Sequence, residues 1–155
     1  MLFDSHAHLN DDRFAEDRDE LIASLKEKQV DLVVNPGADI KSSIHSIELA
    51  NKYDFIYAAV GVHPHDVSEL DDSAIDTLRK LATENEKVVA IGEIGLDYYY
   101  DNSPRELQKE WFKKQIELAN ELKLPIIIHD RDAHGDTFEI IKNTKITEIG
   151  CVIHC

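Results

Sequence analysis

The sequence has few cysteines and few basic residues. Its two cysteines, Cys151 and Cys155, stand in the stretch GCVIHC without a second pair. That spacing excludes a zinc-knuckle pattern and predicts two reduced, mostly buried thiols. Lysine and arginine number 17 against 31 acidic residues, so the net charge is −14. This balance argues against broad electrostatic binding to nucleic acid or an anionic membrane, although bound metal ions could supply local positive charge.

Long apolar runs are also absent. No segment approaches the ~18 apolar residues of a membrane-spanning helix. The N-terminal stretch MLFDSHAH lacks the basic, apolar plan of a signal peptide. We therefore expect a cytoplasmic protein with no membrane partner, and nothing in the sequence points to an obligate protein partner. The composition, 43% hydrophobic and 31% charged, is that of one globular domain with a sizeable core.

Six short apolar runs, rich in β-branched residues and bounded by Gly, Pro or Asp, are typical of strands buried on both faces. They lie at 1–8, 30–37, 55–64, 88–95, 125–130 and 150–155. Amphipathic helical patterns separate them, at 15–28, 41–52, 73–85, 103–122 and 136–143. This alternation of strands and helices predicts a parallel α/β sheet.

Two of the predicted helices carry signals for their first turn. In SPRE, Ser103 is the predicted N-cap, Pro104 takes the first helical position and Glu106 closes a capping box. Asp136 and Glu139 form a second predicted capping box, so we assign Asp136 no catalytic role. The apolar residues that recur at helical spacing after Glu106 predict packing against the sheet.

The spacing of the strands bears on the architecture. Five strand–helix units of about 30 residues each separate the first strand from the sixth, whereas an eight-unit barrel needs roughly 250 residues. The chain is therefore either an open six-stranded sheet or the first six strands and five helices of a TIM-type (β/α)8 barrel.

Metal-competent side chains follow most of the predicted strands. They are His6 and His8 after the first, His63 and His65 after the third, Glu93 after the fourth, His129 after the fifth and His154 after the sixth. The carboxyl ends of parallel strands are where α/β enzymes keep their chemistry. The candidate metal ligands are His6, His8, Glu93, His129 and His154.

The first two ligands have a simple geometry. His6 and His8 are two residues apart, and such residues on a strand point to the same side, where they can hold one metal ion. A site that also includes His154 requires a curled sheet. In a flat sheet with sequential strand order, the first and sixth strands would lie about 24 Å apart. The ligand set therefore favours the barrel.

Five motifs resemble, in order, the signature motifs of the TatD family of metal-dependent deoxyribonucleases, part of the amidohydrolase-like barrel superfamily. They are FDSHAHL at 3–9, GVHPH at 61–65, GEIGLDYYY at 92–100, IIHDRDA at 127–133 and VIHC at 152–155. The resemblance spans the whole chain. It implies a (β/α)8 barrel that hydrolyses phosphodiester bonds in DNA, with single strands as the expected substrate and exonuclease action as the expected mode.

The same resemblance implies two divalent metal ions, with magnesium, manganese and zinc as candidates. By motif, His6, His8 and Glu93 would hold one ion. Glu93 would act as the catalytic bridging carboxylate and share the second ion with His129 and His154. A carboxylate suits this role because its two oxygens can be divided between two ions.

Two further residues are predicted substrate contacts. By resemblance, His63 lies near the substrate phosphate, while His65 faces solvent or a helix. Arg131 lies two residues after the fifth-strand histidine, so we expect it to point inward and contact phosphate. Pairing with Asp130 or Asp132 is the alternative for this arginine.

The motif GEIGLDYYY leaves three roles open. Asp97 could orient a ligand histidine or be an ordinary loop carboxylate. The tyrosines at 98–100 could stack bases or pack a loop. Gly92 and Gly95 could admit substrate or backbone close to Glu93, or they could serve turns.

The chain departs from the family pattern at one point. The family carries a further ligand, an aspartate after strand seven, which binds metal and orients the attacking water. No residue here matches it, and strands seven and eight have no counterpart. We therefore predict that residues 1–155 form a single, incomplete domain, either the N-terminal piece of a longer protein or a truncated gene product.

Two other functions remain open at this stage. A related barrel hydrolase could act on another ester or amide, such as an aminoacyl-tRNA, because a barrel with a metal site does not determine its substrate. The chain could also be an inactive fragment that retains metal ligands and has little or no turnover.

Overall fold

The structure is a computed structural model that describes residues 1–155, except for the side chains of residues 145 and 147. Within this range the strands are β1 (Leu2–Asp4), β2 (Val30–Pro36), β3 (Ile56–Val60), β4 (Val88–Asp97), β5 (Ile126–Arg131) and β6 (Cys151–His154). The α-helices are α1 (Arg18–Glu27), α2 (Ile40–Lys52), α3 (Ser73–Thr83), α4 (Arg105–Leu122) and α5 (His134–Lys142). Short 3-10 helices lie at Asp12–Phe14, Val67–Glu69 and Lys145–Glu148.

The six strands form one sheet in sequence order, and every neighbouring pair is parallel. The sheet is strongly curled. His6 lies just beyond β1 and His154 lies at the end of β6, yet the centroids of their rings are only 3.7 Å apart. A flat sheet would separate these strands by about 24 Å. The predicted barrel architecture, with six strands and five helices, is confirmed, and the open flat sheet is wrong.

The helices cover one face of the sheet. α2 packs against β2 and β3, and both α3 and α4 pack against β4. The apolar stripe of α4 is buried as predicted, with Trp111, Phe112 and Ile116 at its centre. Burial of each such side chain contributes about 1.5–3 kcal/mol, so this face is the principal source of stability.

A second, smaller core lies on the opposite face. It consists of Val34, Ala59, Ala90 and Ile127, one residue from each of β2 to β5. Adjacent strand residues point to opposite faces of a sheet, and most sequence neighbours of these four belong to the larger core, namely Val33, Ala58, Val60, Ile91, Ile126 and Ile128. The small core therefore fills the concave side of the curl.

The two edge strands expose apolar side chains. Leu2 and Phe3 on β1 and Val152 and Ile153 on β6 are exposed. Each edge strand has a pairing partner on one side only among the described strands. The prediction of buried thiols is wrong: Cys151 and Cys155 are exposed, because Cys151 lies on the edge strand β6, in which no residue is buried, and Cys155 follows that strand.

Both predicted capping boxes are wrong. α4 begins at Arg105 with Pro104 as the N-cap and without a side-chain cap. The Ser103 hydroxyl instead donates to the backbone oxygen of His65, 2.9 Å away. In α5, which begins two residues before Asp136, that carboxylate accepts from the Tyr98 hydroxyl at 2.6 Å. In both cases the predicted capping side chain forms a hydrogen bond with a residue from another part of the fold.

None of the described helices combines the length and the apolar character needed to cross a membrane.

Candidate metal centre

Glu93 lies at the centre of a histidine cluster at the carboxyl end of the sheet. Its side chain is only 3% exposed. Oε2 lies 3.1 Å from Nε2 of His8 and 3.4 Å from Nε2 of His6. Oε1 lies 3.1 Å from Nδ1 of His129 and 2.5 Å from Nε2 of His154. The structure thus brings together all five predicted ligands, with two of the four predicted histidines beside each oxygen of Glu93.

His6 and His8 reach the cluster from a loop, which corrects the predicted strand of residues 1–8. β1 ends at Asp4, whose Oδ1 accepts from the backbone nitrogen of His6 at 3.0 Å. Beyond that point, the nitrogen of Ala7 still donates to the oxygen of Val34, 3.1 Å away. The loop therefore continues alongside β2, and the Nε2 atoms of His6 and His8 lie 3.0 Å apart.

The sequence analysis did not identify two residues that hold this loop in place. Arg18 on α1 donates to the backbone oxygens of Leu9 at 2.7 Å, Asn10 at 3.3 Å and Asp11 at 2.9 Å. The buried Asn35 on β2 accepts from the nitrogen of Leu9 at 2.5 Å. Both side chains satisfy backbone groups of the loop that follows His8. An asparagine inside an apolar strand could have indicated such a contact, because a buried polar side chain needs a hydrogen-bond partner.

His63 faces Glu93, and His65 faces a different carboxylate. Nε2 of the buried His63 lies 3.8 Å from Oε1 of Glu93. Its Nδ1 accepts from the backbone nitrogen of His65 at 3.2 Å, so the neutral ring carries its proton on Nε2. Burial lowers the pKa of His63 to about 3, which keeps the ring neutral. His65, predicted to face solvent or a helix, instead has Nε2 2.8 Å from Oδ2 of Asp97.

Asp97 contacts the predicted ligand His129 on the side of its ring that faces away from Glu93. Its Oδ2 lies 2.9 Å from Nε2 of His129, so the orienting contact considered from the sequence is present. Its Oδ1 accepts from the backbone nitrogens of Tyr99 at 3.0 Å and Tyr100 at 2.9 Å. Burial raises the pKa of Asp97, but the Tyr100 amide and the imidazoles of His129 and His65 outweigh burial and bring it to about 2. This carboxylate is therefore ionised.

The two central groups have opposite pKa shifts. Burial raises the pKa of Glu93, but hydrogen bonds from the surrounding imidazoles outweigh it and hold the pKa well below the usual range. Burial lowers the pKa of His129, and its contacts with Glu93 and Asp97 outweigh that effect and raise it. The cluster therefore has a permanent anion at its centre, and this anion attracts positive charge.

Two glutamines on α4 hold the backbone beside the cluster, and the sequence reasoning missed both. Oε1 of Gln115 accepts from the nitrogen of Val62 at 2.8 Å, and its Nε2 donates to the oxygen of Val62 at 3.0 Å. Gln108 makes the same pair of bonds to Asp97, at 2.9 Å and 3.2 Å. Both glutamines are buried and lie seven residues apart in an otherwise apolar stripe. Two polar residues within an apolar stripe could have indicated this role from the sequence.

Gly92 and Gly95 lie inside β4, so the turn interpretation is wrong. A Cβ on Gly95 would lie 2.0 Å from the backbone oxygen of His129, and the residue has φ +144°. A Cβ on Gly92 would lie 2.7 Å from Cβ of Ile127. The two glycines allow β4 to approach β5 closely, which places His129 beside Glu93.

Arg131 lies over aromatic rings at the edge of the cluster. Its Cζ is 4.3 Å from the ring centroid of Tyr99 and 4.9 Å from that of Tyr100. Among the described ion pairs, none joins Arg131 to Asp130 or Asp132, and Asp130 bonds to another imidazole instead. The alternative of local pairing is therefore wrong, and the phosphate contact stays a prediction.

The cluster opens into a cavity of about 510 Å³. Its lining includes His6, His8, His63, His65, Glu93, His129 and His154. Ligand atoms of His6, Glu93 and His154, and likewise of His63, Glu93 and His129, lie within 4.8 Å of one another. Nδ1 of His6 is buried and has no hydrogen-bond partner among the described residues. Imidazole nitrogens around an ionised carboxylate fit a divalent transition-metal ion.

Known proteins match the chain along its whole length. The uncharacterized metal-dependent hydrolase YabD of Bacillus subtilis (strain 168) is 44% identical over 155 residues, which are 100% of this chain and 60% of that protein. The 3'-5' ssDNA/RNA exonuclease TatD of Cronobacter turicensis is 36% identical over 154 residues, which are 99% of this chain and 58% of that protein. The chain thus spans about 60% of the length of these curated relatives.

Solved structures and a family model agree with these relatives. The TatD-family hydrolase of Entamoeba histolytica matches with a TM-score of 0.90 and 28% identity, over 99% of this chain and 57% of that one. The TatD homologue YJJV of Escherichia coli K12 matches with a TM-score of 0.85 and 29% identity, over 91% of this chain and 55% of that one. The model of TatD-related DNases matches residues 3–155. The resemblance read from the five motifs is confirmed, and the chain belongs to the family of TatD-related DNases.

Proposed function

We propose that this chain supplies the two-metal centre of a protein that hydrolyses phosphodiester bonds in DNA, as an exonuclease acting on single strands. The observation that carries the proposal is the position of Glu93, whose Oε2 lies beside His6 and His8 and whose Oε1 lies beside His129 and His154. A carboxylate divided in this way is suited to bridge two cations. One relative, 36% identical, is named a 3'-5' ssDNA/RNA exonuclease, which supports nucleic acid as the substrate class.

In this proposal His6, His8 and Glu93 would hold one ion, and Glu93, His129 and His154 would hold the other. The candidate ions are magnesium, manganese and zinc. Imidazole nitrogens suit zinc, whereas magnesium and manganese suit oxygen ligands. The four histidines therefore favour zinc, while the shared carboxylate also suits manganese.

The bound ions would supply the positive charge that holds a phosphate and activates a water molecule. Asp97 would keep the His129 ring oriented through its bond to Nε2. His63 would donate from Nε2 to a phosphate oxygen, because its Nδ1 already accepts from a backbone amide. Arg131 would be the second substrate contact. Because the chain has a net charge of −14, the attraction for a polyanion must be local to this site.

The test has two parts, which separate binding from turnover. Titration calorimetry of the 155-residue chain with manganese or zinc should give two ions per chain, and Glu93→Gln should lower the affinity by more than about 100-fold, since it removes a shared ligand. End-labelled single-stranded DNA should be digested by the natural protein that carries this chain, and Glu93→Gln should abolish that activity. The 155-residue chain alone should bind metal with little or no turnover.

A matched control is Glu117→Gln, at an exposed position of α4, which should change neither metal affinity nor digestion. Cleavage of small esters or of an aminoacyl-tRNA without cleavage of DNA would refute the nuclease proposal and favour the related hydrolase. A single ion per chain that survives Glu93→Gln would refute the bridging role.

A further inference from the structure

Two tyrosines and an arginine form an exposed surface beside the metal centre, which we call the tyrosine platform (Tyr99, Tyr100 and Arg131). The side chains of Tyr99 and Tyr100 remain 59% and 55% exposed. Their rings are nearly perpendicular, with centroids 4.8 Å apart. The guanidinium of Arg131 lies over both rings. Two exposed aromatic side chains held next to a cation are unusual for a packing contact.

The platform rests on a rigid turn. Oδ1 of the buried Asp97 accepts from the backbone nitrogens of both Tyr99 and Tyr100. The preceding tyrosine behaves differently, since Tyr98 is half-buried and its hydroxyl is bonded to Asp136. Base stacking and loop packing, the two roles considered for these tyrosines, therefore apply to different residues. Tyr98 packs the loop, whereas Tyr99 and Tyr100 stay more than half exposed, with their backbone held by Asp97.

The platform borders the cavity that contains Glu93. The ring of Tyr100 lies 5.4 Å from that of His65, which lines this cavity. The ring of His65 in turn lies 6.2 Å from that of His129. A nucleotide places its base on the far side of the sugar from its phosphate. A surface that receives the base must therefore lie beside the metal centre and not within it, as the platform does.

The charge of the platform points to the same ligand. The chain has 31 acidic and 17 basic residues, yet no ion pair among the described residues involves Arg131. The nearby carboxylate of Asp97 is occupied by two imidazoles, and that of Asp130 by His134. The platform therefore offers aromatic faces and positive charge together, and this combination binds planar π-systems attached to an anion.

We propose that the tyrosine platform binds the base of the nucleotide whose phosphate lies at the metal centre, by stacking on Tyr99 or Tyr100. This inference rests on the proposed function and specifies its substrate as a base-bearing phosphodiester. Stacking tolerates all bases because each has a π-face. The platform would thus hold the terminal nucleotide without selecting sequence, and Arg131 would fix the rings while its outer edge stays available to the substrate.

The test compares a nucleotide with the sugar phosphate that lacks its base. In the presence of manganese, thymidine 5'-monophosphate and 2-deoxyribose 5-phosphate are titrated into the 155-residue chain and binding is followed by calorimetry. The nucleotide should bind about 5- to 150-fold more tightly, which corresponds to one base stacked on an aromatic ring. In the double variant Tyr99→Ala and Tyr100→Ala, this preference should fall to less than about 3-fold, while the affinity for deoxyribose phosphate is unchanged.

Two control variants separate stacking from other effects. Tyr99→Phe combined with Tyr100→Phe should retain the preference, because the rings remain. Phe138→Ala, which removes another aromatic side chain that is 66% exposed, should leave binding of both ligands unchanged. Circular dichroism confirms that each variant is folded. Equal affinity for the two ligands, no binding of either, or a preference that survives the double alanine variant would overturn the platform.

The proposed function is judged separately, by metal stoichiometry and by hydrolysis of bis(p-nitrophenyl) phosphate in the natural protein. That ester has no nucleobase or sugar. If it is hydrolysed and the base preference is absent, the platform fails and the phosphodiesterase stands. If the preference is present and neither the ester nor DNA is hydrolysed, the chain binds nucleotides by the platform and the proposed catalysis fails.

Discussion

Asp97 and His129 are joined through the side of the imidazole that faces away from Glu93. Oδ2 of Asp97 lies 2.9 Å from Nε2 of His129, while Nδ1 of the same ring lies 3.1 Å from Oε1 of Glu93. Both ring nitrogens therefore face a carboxylate, which only accepts hydrogen bonds, so if Nδ1 binds a metal ion the ring carries its proton on Nε2 and donates it to Asp97. Asp97 would thus favour the tautomer of His129 that leaves Nδ1 free to bind a metal ion.

The first prediction concerns Asp97→Asn. The two backbone amides at Tyr99 and Tyr100 require an acceptor, so the amide oxygen of the asparagine takes their side and its NH2 group faces His129. The neutral ring must then move its proton to Nδ1, the nitrogen that faces the metal centre. We expect an affinity for manganese or zinc about 10- to 100-fold lower, measured by titration calorimetry.

Asp136→Asn is the matched control for this change. It removes a carboxylate that bonds Tyr98 and Lys109 and lies outside the metal cavity. Metal affinity should be unaffected by it. A folded Asp97→Asn variant with the affinity of the wild type would contradict the tautomer argument.

The strands and the ligand set could be predicted because both depend on local pattern. β-Branched runs separated by amphipathic stretches define the six parallel strands. In a parallel sheet the carboxyl ends share one edge, so Glu93, His129 and His154 could be expected to meet there. The curl followed from the ligands themselves, since no flat sheet could bring His6 and His154 together.

The supporting contacts could not be predicted, because they join side chains to backbone far away in the chain. Gln115 bonds Val62, a residue 53 positions earlier. Ser103 has the local sequence of a helix cap, but its hydroxyl bonds His65, 38 positions earlier. A capping pattern is a local preference of roughly 1 kcal/mol, and a tertiary partner of similar strength overrides it.

The second prediction is that Gly95→Ala damages both the fold and the centre. The added Cβ would lie 2.0 Å from the backbone oxygen of His129, at a φ of +144° that other residues rarely adopt. Backbone strain and overpacking each cost about 1–3 kcal/mol. We expect a free energy of unfolding lower by about 2–6 kcal/mol in urea denaturation, with a weaker metal affinity because His129 must move.

Gly135→Ala provides the comparison, since it is the same exchange within α5. A Cβ there would meet nothing within 4 Å. Alanine in a helix is more stable than glycine by about 0.5–1 kcal/mol, so this variant should be as stable as the wild type or slightly more stable. Equal stability of the two variants would mean that β4 and β5 are not in close contact at Gly95.

The third prediction concerns Gln115→Leu. The leucine fills a similar space but leaves the nitrogen and oxygen of Val62 without their partner. An unsatisfied buried backbone group costs about 1–3 kcal/mol, and two are created here. The midpoint of urea denaturation should therefore fall clearly. Glu117→Leu, at an exposed site of the same helix, should change the free energy of unfolding by less than about 0.5 kcal/mol.

The fourth prediction is a late tyrosine titration that belongs to Tyr98. Burial and the hydrogen bond to Asp136 raise the pKa of Tyr98 from 10.0 to about 12. Since the folded value lies above the unfolded one, the protonated phenol stabilises the fold fully below pH 10, and this contribution is lost as the pH rises towards 12. Ultraviolet difference titration of the folded chain should therefore contain one tyrosine step near pH 12.

Two substitutions assign that step and separate its causes. Tyr98→Phe should remove it, whereas Tyr99→Phe should leave it in place. Asp136→Asn removes the negative charge beside the phenol but not the burial, so the step should move to lower pH without disappearing. A late step that survives Tyr98→Phe would mean that another tyrosine has the shifted pKa.

Asp136 itself makes the stability depend on pH in the acidic range. Lys109 and Tyr98 both hold the pKa of Asp136 below its ordinary value, so the contribution of Asp136 to stability is present above pH 3.8 and lost as the pH falls below it.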